Sequence, residues 1–376
     1  MLYPLAPTLG RTRRRVGWIA AALLILLLGG CRSEAPVITA RFMAFDSIVD
    51  LSLVRVEPAL AARAEDLIEQ DFHFLDSTLD TWKTGVMERV NQLLPTGKSF
   101  VAPPAILPLV RMSQTYEKLS GGLFNPALGN LIALWGFNVP QPECNPPPRD
   151  QVIERWVKAN PRMADIQLDG LEIQGTNRAL RLDFQPIIRG YAIDLAIAQI
   201  KELGIRDALV QIGPDLRAIG DRGGQPWRIP IRRPSGAGVL AVLKVMGDES
   251  VATTAAYDRD FIYGGVNYHH ILDPRTGQPA RGTQSVTVVH GDAVTATAAA
   301  TALFVAGPKH WHAIAQAFGL RYVILVDSKG TVHLNPELHA RLDIVDTNAE
   351  LLLSPPLPAP SGAPPTAASP SRANPA

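Results

Sequence analysis

The chain has 376 residues, 47% of them hydrophobic and 19% charged, which is enough apolar material for one large core or two smaller ones. A formal net charge of +1 gives no electrostatic ground for nucleic-acid binding. The only cysteines are Cys31 and Cys144, so stability cannot rest on a disulfide framework and must come from packing.

The chain opens with a positive n-region, Arg11, Arg13, Arg14 and Arg15, followed by an apolar run from Val16 to Leu28 that is too short to span a bilayer comfortably. That pattern is a signal peptide over residues 1–30. It ends in Leu28-Gly29-Gly30-Cys31, which resembles the lipobox of bacterial lipoproteins, where the cysteine is diacylated and becomes the mature N-terminus; the alternative is an ordinary signal peptide with an incidental cysteine. Two acyl chains give stable anchoring, since each buried methylene contributes roughly 0.8 kcal/mol. The expectation is an exported bacterial envelope protein, lipidated on Cys31 and facing the periplasm. Arg32 follows the cysteine where an aspartate would signal inner-membrane retention, which leans toward the outer membrane and leaves the choice open.

After a linker at 31–36, residues from Val37 to Arg55 read as strand and Ala59 to Leu79 as an amphipathic helix. Leu109 to Leu119 reads as a second helix, closed by Gly121-Gly122. Pro140 to Pro148 is a surface loop, and Asp165 to Asp183 reads as a hairpin around Gly175-Thr176-Asn177. Apolar residues recur at helical spacing from Ile187 to Leu203, where Gly204 stops the helix. Further strands are expected at Ala208–Ile212, Trp227–Ile231, Val239–Met246, Ser285–Val289 and Tyr322–Val326, with helices at Ala293–Ala306 and Lys309–Phe318. The interleaving indicates α+β or α/β with one core region over 37–353. Residues 354–376 are dominated by Pro, Ala and Ser and read as a disordered tail.

A Walker loop, a GxGxxG after a strand, paired zinc-spacing cysteines and a GxSxG elbow are all missing from the sequence. Three local clusters remain. Gly121-Gly122-Leu123-Phe124-Asn125-Pro126 leads to Leu134-Trp135-Gly136-Phe137, which on its own is equally a helix cap, a turn and a buried aromatic. Asp183 to Asp194 joins a strand end to a helix start, where free N–H groups and partial positive charge suit an anion, helped by Arg189; a capped helix with a solvated arginine is the plain alternative. Tyr268 to Gly277 contains an ordinary Asp-Pro-Arg-Thr-Gly turn, with His270 three residues before Asp273 as a second acid/base group at one place.

Taken in order, these clusters resemble the ApbE family of FAD:protein FMN transferases, over roughly Met43 to Gly307. The family's G-x-F-D-P and L-W-G-F are similar to Gly122 to Phe137, with Asn125 for Asp; its D-L-x-x-x-x-K-G-Y-A-x-D to Asp183–Asp194; its H-x-x-D-P-x-T-G to His270–Gly277; and its A-D-A-x-A-T-A-L-F-V to Thr297–Val305. The resemblance implies an α+β fold of the ApbE type (T-fold-like), one compact catalytic body. It implies Mg²⁺-dependent transfer of the FMN half of FAD to a threonine of a partner, with release of AMP. The partner would be a flavin-carrying subunit of a membrane redox complex or an FMN-binding domain. By matched position, Met43, Trp82, Trp135, Gly136, Phe137, Asp183, Arg189 and Ile271 would hold FAD, His270 would help deprotonate the acceptor, and Pro186, Thr297 and Thr301 would hold the metal.

The departures concentrate on charged chemistry. Thr297 stands where the family has the metal-binding aspartate, and Mg²⁺ favours anionic oxygen, so two hydroxyls predict weak binding; Asp292 is a conceivable substitute. Arg189 replaces a lysine, Gly213-Pro214-Asp215 a double-glycine turn, and Thr254-Ala255 a Ser-Gly pair. Alternatives to an active transferase are therefore a degenerate member that binds flavin or a partner without transfer, and a structural lipoprotein.

Overall fold

The computed structural model describes residues 35–357. The expected signal peptide, the lipidation site Cys31 and nearly all of the expected tail lie outside the described residues. The strands, in chain order, are β1 (Val37–Ala44), β2 (Ser47–Val54), β3 (Phe100–Val101), β4 (Ile166–Asp169), β5 (Glu172–Gly175), β6 (Ala208–Ile212), β7 (Asp215–Ile219), β8 (Trp227–Arg232) and β9 (Val239–Val245). They continue as β10 (Glu249–Ala255), β11 (Asp260–Tyr263), β12 (Val266–His269), β13 (Thr283–His290), β14 (Tyr322–Asp327), β15 (Val332–Leu334), β16 (Leu342–Ile344) and β17 (Leu351–Leu353).

A nine-stranded sheet in the order β1-β2-β6-β7-β10-β13-β14-β15-β17 forms the frame, antiparallel except for the β15–β17 pair. Smaller sheets, β16-β9-β8, β3-β5-β4 and the β11-β12 hairpin, sit around it. The Gln185–Glu202 helix packs on β6 and β7, the Ala293–Ala317 helix on β10 and β13, and the two helices pack on each other. The mixed α+β class and the one compact body agree with the sequence reading. Among the described residues no helix is long and apolar enough to cross a membrane.

Small side chains explain how the two helices come so close. Between Ala293 and Ala306 nearly every residue is buried, most of them alanine. On the facing helix, a Cβ on Gly190 would lie 2.6 Å from both the Ala293 carbonyl oxygen and Thr297 Oγ1. Any side chain larger than hydrogen therefore pushes the helices apart. The break expected near Pro308 is present: Gly307 takes φ 71°, ψ 177° and divides the long helix in two.

Two expectations need correction. Val37 to Arg55 is a hairpin rather than one strand, because Phe45 and Asp46 take φ of 54° and 52° and reverse the chain between Ala44 and Ser47. Two non-glycine residues in that region cost on the order of 1 kcal/mol each, offset by burial of Phe45 against Phe72 with ring centroids 5.6 Å apart. The later hairpin turns at Asp169-Gly170, with Gly170 at φ 59°, and Gly175 instead ends β5. Short helices at Val86–Leu93, Gly129–Leu134 and Asp150–Ala159 were not anticipated.

Gly190→Ala should lower stability by about 1–3 kcal/mol, the usual cost of overpacking, because backbone rather than a flexible side chain blocks the added methyl. Urea unfolding of wild type and variant measures it; equal midpoints would show that the helices separate freely.

Candidate active site

One cleft gathers the chemistry, with a cavity volume of about 220 Å³ behind an open mouth. Its walls come from the β1–β2 turn, the segment Leu123–Leu128, the entry to the Gln185 helix, the ends of β7 and β10, the loop before β11, the loop after β12, and the Ala293 helix. Of the expected site residues, Phe137, Asp183, Pro186, Arg189, His270, Ile271, Thr297 and Thr301 all line it.

Asp183 sits just before the helix and accepts the Gln185 backbone N–H at 3.0 Å, while its own N–H donates to the Pro126 carbonyl. Burial lifts its pKa to about 6, against the pull of that hydrogen bond and of Arg259. One turn on, Arg189 Nε lies 3.0 Å from Asp215 Oδ2. Asp215 is only 3% exposed; burial raises its pKa, while Arg189 and the Thr253 N–H, 3.2 Å from Oδ1, favour the charged form. Asp258 and Arg259 complete the charged lining. Burial lifts Asp258 to about 6, and burial lowers the pKa of Arg259.

His270 follows the β11–β12 hairpin. Its Nδ1 lies 3.2 Å from the Arg259 carbonyl, which only accepts, so Nδ1 carries the proton and Nε2 keeps its lone pair. Burial, reinforced by the charge of Arg259, drives its pKa down to about 3. The imidazole is therefore neutral at neutral pH and able to take a proton. Its expected companion Asp273 faces away from the cleft: it binds the Arg275 guanidinium at 2.7 Å and closes the Asp-Pro-Arg-Thr-Gly turn. The His270–Asp273 spacing thus places one acid/base group in the cleft and one in a turn.

Met43, Trp82, Trp135 and Gly136 do not line the cleft. Met43 is 57% exposed on β1, two residues before the turn whose Phe45, Asp46 and Ser47 do. Trp82 is half-buried under the Arg181 guanidinium, 4.8 Å from its ring centroid. Trp135 is buried, donates from Nε1 to the Gly277 carbonyl at 2.8 Å and packs with Phe137 and Tyr268. Gly136, at φ 74°, lets the chain turn so that Trp135 anchors the His270 loop while Phe137 reaches the cleft.

Sequence reasoning missed Asp46, Asp258 and Arg259, and treated Asp215 only as a turn change. The signal available for Asp258-Arg259 was a charged pair inside an otherwise small and aromatic stretch, which is also ordinary loop composition.

The expected metal positions form a neutral set. Thr297 Oγ1 donates to the Val294 carbonyl at 2.9 Å, and Thr301 Oγ1 donates to the Thr297 carbonyl at 3.2 Å. Asp292 does not substitute: it caps the helix by accepting the Thr295 N–H at 2.9 Å and lies 3.1 Å from His290 Nδ1. Among the described residues no group of three or more His, Cys, Asp or Glu could hold a metal ion. These donors do not fit Mg²⁺, which calls for one or two carboxylates.

NMR of isotope-labelled histidine should find His270 neutral from pH 8 down to about 5, where an ordinary histidine near 6.5 has titrated. A midpoint above about 6 would show the ring to be solvated rather than buried.

Comparison with known proteins gives a consistent answer. The family model described as the ApbE family matches residues 45–324. A protein named FAD:protein FMN transferase from Rhodobacter capsulatus is 33% identical over 343 residues, covering 89% of this chain; the chain spans 64% of that relative's length. A relative of the same name from Vibrio cholerae is 28% identical, with 82% of this chain and 93% of that protein covered. The apo structure of the Pseudomonas stutzeri flavinyl transferase ApbE matches with a TM-score of 0.70 at 30% identity, covering 80% of this chain and 94% of that one. The Thermotoga maritima ApbE protein matches with a TM-score of 0.73 at 25% identity, covering 81% and 99%. On this evidence, and with the motifs converging in one cleft, the chain belongs to the ApbE family.

Proposed function

We propose that this chain transfers the FMN half of FAD to a threonine hydroxyl of a partner protein and releases AMP. The observation that carries the reading is a half-buried imidazole, its Nδ1 held by the Arg259 carbonyl, in the same cleft as Arg189, Arg259 and the Asp183 turn. In the reaction the threonine oxygen attacks the FMN-side phosphorus while its proton passes to His270 Nε2. The P–O bond to the AMP half then breaks, and AMP leaves with the bridging oxygen. Arg189 and Arg259 attract and orient the diphosphate, and Phe137 and Ile271 offer apolar contact to a ring system. The relatives named for this activity, the matched His270 and Asp183, and the positive charge kept by Arg189 in place of lysine support it.

The same proposal includes a lipid on Cys31, a position at the periplasmic side of the bacterial envelope, and an acceptor in a membrane redox complex or FMN-binding domain. The signal-peptide pattern and the lipobox-like Leu28-Gly29-Gly30-Cys31 support the anchor. The neutral donors at Thr297 and Thr301 favour a second reading, in which flavin is bound and not transferred.

Full-length protein in detergent, incubated with FAD and an acceptor domain, should add the mass of FMN to the acceptor and release AMP. His270→Ala should slow transfer by about 10²–10⁴-fold while FAD is still bound, the range for loss of a general base. Bound FAD with no transfer by the wild type would instead establish the binding-protein reading. For the anchor, Cys31→Ala should abolish incorporation of radioactive fatty acid; continued labelling would remove the lipoprotein assignment.

A further inference from the structure

We infer that this cleft binds its flavin dinucleotide without a divalent cation, the positive charge opposite the diphosphate being carried by Arg189 and Arg259. The inference rests on the proposed flavin chemistry and concerns how that site meets the two negative charges of the diphosphate.

The cation position has lost its anionic ligand and has been reorganised around hydrogen bonds. Thr297 is 4% exposed, packs on Gly190 and gives its only proton to the Val294 carbonyl. Thr301 Oγ1 is 3.3 Å from Thr254 Oγ1, another neutral hydroxyl. A small hard cation that must shed water to bind gains too little from such oxygens, because desolvation is repaid chiefly by carboxylate charge. Two of the four carboxylates that line the cleft are already engaged. Asp215 is held by Arg189 and by the Thr253 N–H, and Asp183 by the Gln185 N–H.

Guanidinium groups stand in the same cleft. Arg189 engages Asp215 through Nε, and Arg259 engages the Phe137 carbonyl through Nη1 at 3.1 Å, so each keeps further N–H donors for an anion. Arginine suits this role because its planar fork matches phosphate oxygens in pairs and its charge cannot be titrated away. The two guanidinium groups raise each other's energy, which a bound diphosphate relieves. Asp183 and Asp258, each lifted to about 6 by burial, can take up protons as the dianion enters, while Asp46 stays on the hairpin turn beside them.

The test is equilibrium titration of the full chain in detergent with FAD and with riboflavin, followed by tryptophan quenching, in EDTA and in excess Mg²⁺. The wild type should bind FAD with the same affinity, within about twofold, in both media. Arg259→Gln should weaken FAD roughly tenfold in EDTA and leave riboflavin, which has no phosphate, unchanged. Thr297→Asp should make FAD affinity respond to Mg²⁺. A wild-type FAD affinity that rises about tenfold or more with Mg²⁺ overturns the inference, and needs no variant to fold. Equal weakening of FAD and riboflavin by Arg259→Gln overturns the arginine assignment. Failure of FAD to bind in either medium would sink the flavin reading itself, an outcome distinct from Mg²⁺-dependent binding.

Discussion

The contact at Gly190 sets the geometry on which the cleft depends. With the Ala293 carbonyl and Thr297 Oγ1 both 2.6 Å from where a Cβ would stand, the two central helices touch backbone to backbone. That approach fixes the Asp183–Arg189 entry of one helix against Thr297 and Thr301 of the other. It also explains why the second helix is rich in alanine where it crosses: bulkier residues would widen the gap and move the Asp183–Arg189 turn away from the wall opposite. Asp194, one turn beyond Gly190, ties the arrangement down by accepting the Ala293 and Val294 N–H groups at 2.8 and 3.0 Å. A carboxylate at a helix N-terminus satisfies orphan donors and complements the helix dipole, so the same residue positions and stabilises.

Electrostatics then decide what the cleft can accept. Burying Arg189 beside Asp215 costs desolvation, and such pairs contribute little net stability compared with apolar packing. Their value lies in placement: Asp215 holds the guanidinium in one orientation, as a capping group holds a helix end. Around it, burial pushes Asp183 and Asp258 toward the neutral form and His270 firmly into it. The result is a cleft whose permanent cations are arginines and whose imidazole is a proton acceptor.

The long periodic elements were legible in the sequence. The Pro58–Leu79, Leu107–Leu119 and Gln185–Glu202 helices and the central strands follow from apolar spacing and glycine stops. Short elements were not, because Val86–Leu93 and Gly129–Leu134 have too few residues to show a period and owe their form to tertiary packing. The Phe45-Asp46 turn was invisible for a different reason. Asp46 suits a left-handed turn but Phe45 does not, and the burial of Phe45 makes the conformation tolerable. At the site, motifs carried by a single segment, such as His270 with Ile271, could be recognised. Asp215, Asp258 and Arg259 acquire meaning only when the fold brings three loops together, and no local spacing encodes that.

Thr297 shows how far one substitution extends. A carboxylate there would face the Gly190 contact from within a buried helix surface, and without a cation it would be an uncompensated charge. Its replacement by a hydroxyl removes that cost, since threonine satisfies its own proton on the preceding turn. Once the carboxylate is gone, a lysine at position 189 would bring only a point charge beside Arg259. An arginine offers several donors in a fixed fork and can engage Asp215 and an anion together, so Thr297 and Arg189 read as one coupled change. Asp215, in the place of a glycine turn, supplies the partner that such an arginine needs, which brings these three of the departures from the family pattern under a single electrostatic account.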